Sequence, residues 1–295
     1  MPDEPSGHAL LRITLDRATR EHVRAGRAAG IAARHEREAQ SCPRDMREIH
    51  VRLARTHRQV QARHERAAAM HAAFAVRLTE MLESSPVPDT ADVFMTSVAG
   101  AANARGAAVT FFGGAHQELL SATSDARTKM MQDFEFVCGE GPTLASAVER
   151  RVVSATTPDL LRDWPVYGSM AARLGVQRVV VLPTALTVAR SGALTVLDPR
   201  TPAGAARIQG LRGLADTLFT VVLSAWQEAA GYGFPFARAD WRALVHVATV
   251  VVAEQLDCGL DDASALLRAR AFASGEPLDE LARAVIAHEE RFDEA

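Results

Sequence analysis

The sequence predicts an α+β protein: a long N-terminal helix or coiled coil, a central antiparallel sheet domain flanked by helices, and a C-terminal three-helix bundle. Three observations carry that reading. Residues 16–84 are rich in Arg, Ala, Glu and His and nearly free of glycine, a helical composition. From about residue 107 to 197, short β-branched runs alternate with helical segments and Gly/Pro turns. Beyond Trp241, three apolar-periodic segments are punctuated by Gly259, Gly275 and Pro277.

At 295 residues, 48% apolar and 23% charged, the chain has globular composition and length for about two domains. The net charge of −3 gives no global steering toward nucleic acid. Basic charge is almost all arginine, Lys129 being the only lysine. Cys42, Cys138 and Cys258 form no CxxC pair and are odd in number; with the acidic start Met1-Pro2-Asp3-Glu4 they point to a reducing cytoplasm. No apolar run reaches the ~18 residues of a membrane span, so no membrane partner is expected.

Residues 1–84 form the first segment. Ser41-Cys42-Pro43 interrupts it, where proline either opens a new helix or breaks one long helix. Beyond it, Met46, Ile49, Leu53, Thr56, Val60, Arg63, Ala67, Met70, Phe74, Arg77 and Met81 follow a coiled-coil spacing, weakened by Thr56, Arg63 and Arg77. The earlier Ala25, Ala28, Ala29, Ile31 and Ala32 suit either a fold-back partner or a continued rod. Between residues 16 and 84 stand fourteen arginines, nine acids and six of the ten histidines. Dimerisation through a solvated helix is the plainest role; an arm contacting nucleic acid through Arg44, Arg47, Arg52, Arg55, Arg58 and Arg63 is another. His50, His57, His64 and His71 recur every seven residues along one helix side, which would bring symmetry mates together in a dimer. Helical metal pairs use i, i+4 spacing with a further ligand, so no metal ligand is assigned.

Ser84-Ser85-Pro86-Val87-Pro88-Asp89 marks a boundary. The second domain, 90–229, begins with a helix over Ala91–Ala102. Strands over Ala107–Phe112 and Gln117–Thr123 turn at Gly113-Gly114, a hairpin. Helices are expected over Asp125–Phe134 and Thr143–Arg150, strands over Gln177–Leu182 and Ser191–Leu197, and a long helix over Ala205–Ala229. The third domain, 237–292, follows a hinge at Gly231–Pro235. Leu244, Val245, Ala248, Val251, Val252 and Leu256 give the first helix an apolar face. Gly259 ends it, Asp261 sits as N-cap of the second helix, Gly275 ends that, and Pro277 opens the third.

Two resemblances rest on these residues. Val245–Leu256, Ala263-x-x-Leu266-Leu267-Arg268 and Gly275-Glu276-Pro277-Leu278 through Ala282 resemble the ANTAR domain, a three-helix RNA-binding output module of transcription antiterminators. Cys138-Gly139-Glu140-Gly141-Pro142, Arg151-Val152-Val153, Pro158-Asp159-Leu160, Trp164-Pro165, Gly175-Val176, Leu182-Pro183 and Gly192-Ala193-Leu194, in order, are similar to the GAF sensor domain. The pair resembles a bacterial, commonly actinobacterial, GAF–ANTAR regulator. It implies binding of paired RNA hairpins in transcript leaders by a dimeric output bundle, and control by a small-molecule or redox signal whose identity and cofactor the residues leave unknown; the coiled-coil spacing adds the N-terminal helices as a second homodimer contact. Candidate RNA contacts are Arg242, His246, Thr249, Arg268 and Arg270. Phe112, Phe134, Phe136, Trp164, Tyr167 and Met170 are the candidate lining of a sensor pocket, though core packing suits the same side chains. Cys138 suits a redox thiol or a small buried hydrophobe.

Val250, Ala253 and Glu276 stand where the family carries a glycine, a methionine and a basic residue. From Arg238 on there are six arginines against twelve acids. Phosphate neutralisation dominates non-specific nucleic-acid affinity, so this balance also supports a scaffold regulator whose bundle binds protein. No nucleophile elbow, HExxH or dinucleotide fingerprint occurs, and His116 and Asp159 have no nucleophile beside them, so no enzymatic activity is expected.

Overall fold

The computed structural model describes residues 7–83, 90–114, 117–185, 191–201, 204–228 and 242–292. Among them are eleven helices and a five-stranded antiparallel sheet, so the chain is α+β. It divides into two compact units: residues 1–101 with 208–237, and residues 102–207 with 238–295. The expected linkers at 84–89 and 231–235, and His116, lie outside the described residues. In this grouping the helices that border the sheet's sequence go with the N-terminal helices.

In the first unit α1 (Gly7–Ser41) and α2 (Arg44–Leu82) form an antiparallel hairpin. Pro43 is the N-cap of α2 with an extended backbone (φ −53°, ψ 154°), so the break is a turn and the rod is not continuous. Ala25, Ala28, Ala32 and Ala39 are buried on α1, their small side chains allowing close helix approach. A Cβ on Gly7 would meet Leu82 Cδ2 at 2.3 Å, so the two helices approach closely at the open end. Arg58 donates to both Glu36 oxygens at 2.8 and 2.7 Å across the hairpin. The expected seam is split: Ala67, Met70, Phe74 and Met81 are buried within the unit, whereas Met46, Ile49, Leu53 and Thr56 are exposed.

The histidine ladder faces α1. His50 meets His35 and Glu38, His57 stacks on His35, and His64 lies 2.5 Å from Glu21. His71 is buried; burial, then the Arg17 charge, pushes its pKa down to about 4. Helices α3 (Thr90–Ala101) and α8 (Ala205–Glu228) join this unit. Phe94 of α3 packs edge-on to Phe74 at 5.2 Å, and Arg66 donates to the Gly213 carbonyl of α8 at 3.2 Å.

In the second unit the strands are β1 (Ala104–Phe112), β2 (Glu118–Thr123), β3 (Val153–Thr156), β4 (Arg178–Ala185) and β5 (Ser191–Pro199), in sheet order β2-β1-β5-β4-β3. The β1–β2 hairpin pairs Val109 with Ala122, and β5 pairs Val196 with Ala107 and with Val180. Val179–Leu182 and Ala193–Leu197 are buried on both faces, which is why they read as unbroken apolar runs. One face packs on α4 (Ala126–Cys138), α5 (Pro142–Glu149), α6 (Thr157–Asp163) and α7 (Pro165–Arg173), where Phe112, Met131, Leu160 and Tyr167 share a core.

β3, α6 and α7 were not anticipated. β3 has only four residues, and α6 is launched by Thr156, whose N–H and hydroxyl both donate to Asp159 Oδ2 at 2.9 and 2.6 Å. Those bonds from Thr156 hold the Asp159 pKa down at about 2, and Asp159 is the N3 member of the capping box.

The terminal bundle comprises α9 (Arg242–Leu256), α10 (Leu260–Ser274) and α11 (Leu278–Ile286), around Val245, Ala248, Val252, Leu267, Leu281 and Val285. Its punctuation differs in detail from the expectation. Asp257 takes the left-handed turn after α9 (φ 49°), Gly259 is the N-cap of α10, and Asp261 lies inside that helix's first turn. Gly275 is the left-handed C-cap (φ 70°), as expected, and Pro277 is the N-cap of α11.

Candidate functional site

The candidate site is built on α4. Asp125 caps its start, accepting from Thr128 N at 2.9 Å, and Gly139 ends it in the left-handed region (φ 68°). At helical spacing, Gln132 and Glu135 turn one way and Asp133, Phe136 and Val137 another. The first pair enters the interior of the sheet domain; the second set meets the terminal bundle.

Inside, a polar strip crosses the sheet. Thr110 of β1 lies 3.3 Å from Ser121 and donates to Gln132 Oε1 at 3.0 Å; Gln132 Nε2 donates to Thr143 at 3.3 Å; Thr143 lies 3.0 Å from Thr195. Beside it Glu135 Oε1 accepts from the backbone N–H groups of Thr143 and Leu144 at 2.6 and 2.9 Å. These are free donors of the α5 first turn, and they favour a carboxylate. Burial outweighs them and raises the Glu135 pKa to about 8, so the group is mostly protonated at neutral pH. Glu135 Oε2 and the Tyr167 hydroxyl are both buried without a hydrogen-bond partner among the described residues. Gly141 is needed here, since a Cβ would stand 2.5 Å from the Glu135 carboxyl carbon. The strip was missed from the sequence, where threonines and glutamine in strand and helix patterns carry no motif.

The six aromatic and apolar pocket candidates separate. Phe112 and Tyr167 are core residues, with Phe134, Trp164 and Met170 partly buried against them. Phe134 and Met170 also line an open groove of about 470 Å³ with Pro165, Val166, Ser169, Arg173 and Phe272. Phe136 is no part of that lining. It packs on the terminal bundle, because it stands on the opposite side of α4. Cys138 donates to the Phe134 carbonyl at 2.9 Å, and burial raises its pKa to about 11. A protonated, partly covered thiol is a poor nucleophile, which fits the small-hydrophobe reading.

The five RNA-contact candidates are drawn to intramolecular partners. Arg242 is 1% exposed; it pairs with Glu118 of β2 and with Asp133 of α4 at 3.3 Å, donates to the Gln132 carbonyl at 3.4 Å, and lies over the Phe136 ring at 4.9 Å. His246 spans Glu118 O (2.8 Å) and Gln117 Nε2 (2.9 Å). Thr249 is buried and donates to Val245 O within its own helix at 2.7 Å. Arg268 rests against Gly139, whose Cβ, if present, would be 3.2 Å from its Nη1. Arg270 pairs with Glu290 and stacks on Phe292 at 4.9 Å. Four of the five thus lie on the bundle side that meets the sheet domain or its core, and Arg242 and Thr249 present no surface for a polynucleotide in this conformation. Glu118 and Asp133, the acids that engage Arg242, carried no sequence signal.

Among the described residues, no single helix is long and apolar enough to cross a membrane. No family model and no curated protein matches the chain. Among solved structures it is similar to an N-acylhomoserine-lactone-dependent LuxR-family transcription factor from Burkholderia cenocepacia, at 17% identity and a TM-score of 0.37, over 53% of this chain and 92% of that one.

Proposed function

We propose that the chain is a signal-responsive regulator of transcription antitermination whose terminal bundle binds RNA hairpins and is held on the sheet domain until a signal arrives. The observation that carries this reading is the Arg242 hub. One buried guanidinium ties the bundle to Glu118 and Asp133, and Asp133 shares α4 with the buried Glu135 and Gln132. A ligand that bonds Glu135 or Tyr167 shifts α4 and loosens the hub. Such control needs two states with different ligand affinity. The GAF-like and ANTAR-like sequence patterns support the assignment of the two parts. The exposed stripe of Met46, Ile49 and Leu53 supports a second copy of the chain as partner.

A second reading, a scaffold regulator with a protein partner, is favoured by the acidic bundle and by the internal pairing of Arg242 and Arg270. One experiment separates them: RNA crosslinking and co-purification from the native cell with wild type, Glu118→Arg and Arg268→Ala. Glu118→Arg sets two guanidinium groups against each other and opens the hub. Under antitermination it enriches transcript leaders with paired hairpins at least about tenfold over wild type, and adding Arg268→Ala abolishes that gain. RNA yields equal to those of a control protein in every variant sink the RNA reading, and the co-purified proteins then define the scaffold.

A further inference from the structure

In the first unit, beside the turn that joins α1 to α2, three potential ligand atoms converge. His35 Nδ1 lies 3.0 Å from Glu38 Oε2 and 3.1 Å from His50 Nδ1, and His50 Nδ1 lies 3.1 Å from the same Glu38 oxygen. His35 and Glu38 stand one turn apart on α1, and His50 reaches them from α2. All three are partly buried, and the imidazoles are more covered, at 20% and 18% side-chain exposure, than the carboxylate at 43%.

Hydrogen bonding cannot satisfy this triangle. Three contacts need three suitably directed protons, an ionised carboxylate has none, and each neutral imidazole has one N–H. With both Nδ1 atoms protonated toward Glu38, the two N–H groups oppose each other. With one protonated, the other nitrogen sets its lone pair against the carboxylate. A cation at the centre attracts all three lone pairs at once.

The spacing indicates which kind of cation. Donors at right angles about 2.1–2.2 Å from a metal are roughly 3.0–3.1 Å apart, whereas tetrahedral donors at about 2.0–2.1 Å are roughly 3.3–3.4 Å apart. The observed edges equal the first case, and an outward shift of a few tenths of an ångström reaches the second, so both geometries are open to a bound ion. Two imidazoles with one carboxylate suit first-row transition metals, while Ca²⁺ and Mg²⁺ prefer all-oxygen sets. His57 stacks on His35 (6.0 Å, 18°) and steadies that ring, and the nearby Arg58 is neutralised by Glu36.

We propose that His35, Glu38 and His50 bind a divalent first-row transition metal, with Zn²⁺ the test ion, in a facial three-ligand site that staples α1 to α2. The seven-residue histidine spacing of α2 does not reveal it, because two ligands come from the other side of Pro43.

The test uses the untagged full chain, stripped with chelator and titrated with Zn²⁺ by calorimetry and with Co²⁺ by visible absorption. The expected result is one Zn²⁺ per chain, Co²⁺ d–d bands abolished by Zn²⁺, and a higher melting midpoint of the α1–α2 unit in Zn²⁺. His50→Ala and Glu38→Gln each weaken Zn²⁺ binding at least about tenfold, while His64→Ala leaves it unchanged. Should His50→Ala fail to fold, Glu38→Gln, at a half-exposed side chain, decides. Absence of saturable binding, or affinity unchanged in Glu38→Gln, overturns the proposal.

Discussion

Replacing Glu135 with glutamine removes one titratable proton from the interior of the sheet domain and leaves its shape. The amide oxygen can still accept from Thr143 N and Leu144 N, the bonds that seat the carboxyl over the α5 first turn. Burial lifts the folded pKa of Glu135 to about 8 from its ordinary 4.5. The folded state therefore holds a proton that the unfolded state releases across that interval. The stabilisation is complete below pH 4.5 and is lost as pH rises through 8. At about 1.4 kcal/mol per pH unit, wild type gives up about 3 kcal/mol by pH 7 and about 5 kcal/mol beyond pH 8 through this group. Both figures are upper values, since water entering the domain lessens the burial cost.

Glu135→Gln has no such slope, so it is more stable than wild type above pH 7, with a gap that widens to pH 9. Urea unfolding followed by Trp164 fluorescence, with Trp226→Phe and Trp241→Phe in both proteins, measures the gap from pH 5 to 9. Parallel curves for wild type and variant, or a wild type that gains relative stability with pH, would refute the argument that burial outweighs the two backbone donors.

Three further outcomes are expected. His71, buried among Arg17, Arg20, Glu21, Arg24, Arg63 and His64, has its pKa depressed to about 4, so its stabilisation is present above pH 6.5 and is lost as pH falls through 4; that amounts to at most about 3 kcal/mol. Hydrogen exchange of α2 peptides checks it, and His71→Gln flattens the loss. Gly168→Ala sets a Cβ 2.5 Å from Leu161 N and 2.6 Å from Leu160 C, backbone atoms that cannot rotate away, and lowers stability by about 2 kcal/mol despite a better helix propensity; the urea midpoint measures it. Ile49→Glu places a charge in the exposed stripe of α2 and weakens self-association at least about tenfold by sedimentation, whereas an unchanged association constant would remove that face from the dimer.

The elements legible in the sequence share one property: each is announced by local periodicity with a stop signal nearby. The β1–β2 hairpin followed from Gly113-Gly114, the last two helices from Gly275 and Pro277, and the α1–α2 break from Pro43. What stayed hidden depends on residues far apart in the chain. β3 pairs Ala155 with Val179, an apolar contact that four residues cannot signal alone. The histidines at heptad spacing suggested a face for a second copy, but the hairpin puts Glu21, His35 and Glu38 opposite them. The site was legible by residue type and not by use: arginines 242 and 268 are prominent in the bundle, yet whether they face polynucleotide or protein depends on Glu118, Asp133 and Gly139, over a hundred positions away.

That difference bears on how an acidic bundle could serve RNA. Arginines are a poor stock here, six against twelve acids from Arg238 on, and Arg242 is withdrawn into a buried ion pair. Breaking one side of such a pair costs roughly 3–5 kcal/mol, since the charge left behind has lost its water and its partner. A ligand that merely touches the sheet domain cannot supply that. A ligand that satisfies Glu135 Oε2 or the Tyr167 hydroxyl gains a buried hydrogen bond worth about 1–3 kcal/mol, and it acts on α4, the helix that carries Asp133 to the hub. Release of the bundle returns Arg242, Glu118 and Asp133 to water together, so the charges are resolvated as the pair opens and the net cost falls within the reach of one or two such bonds. The proposed switch is therefore energetically feasible only if signal and hub share α4. Asp133→Asn, which loosens the hub while leaving Gln132 and Glu135 in place, is then expected to release the bundle at lower ligand occupancy than wild type, read as faster amide hydrogen exchange in β2, the strand that Arg242 and His246 cover.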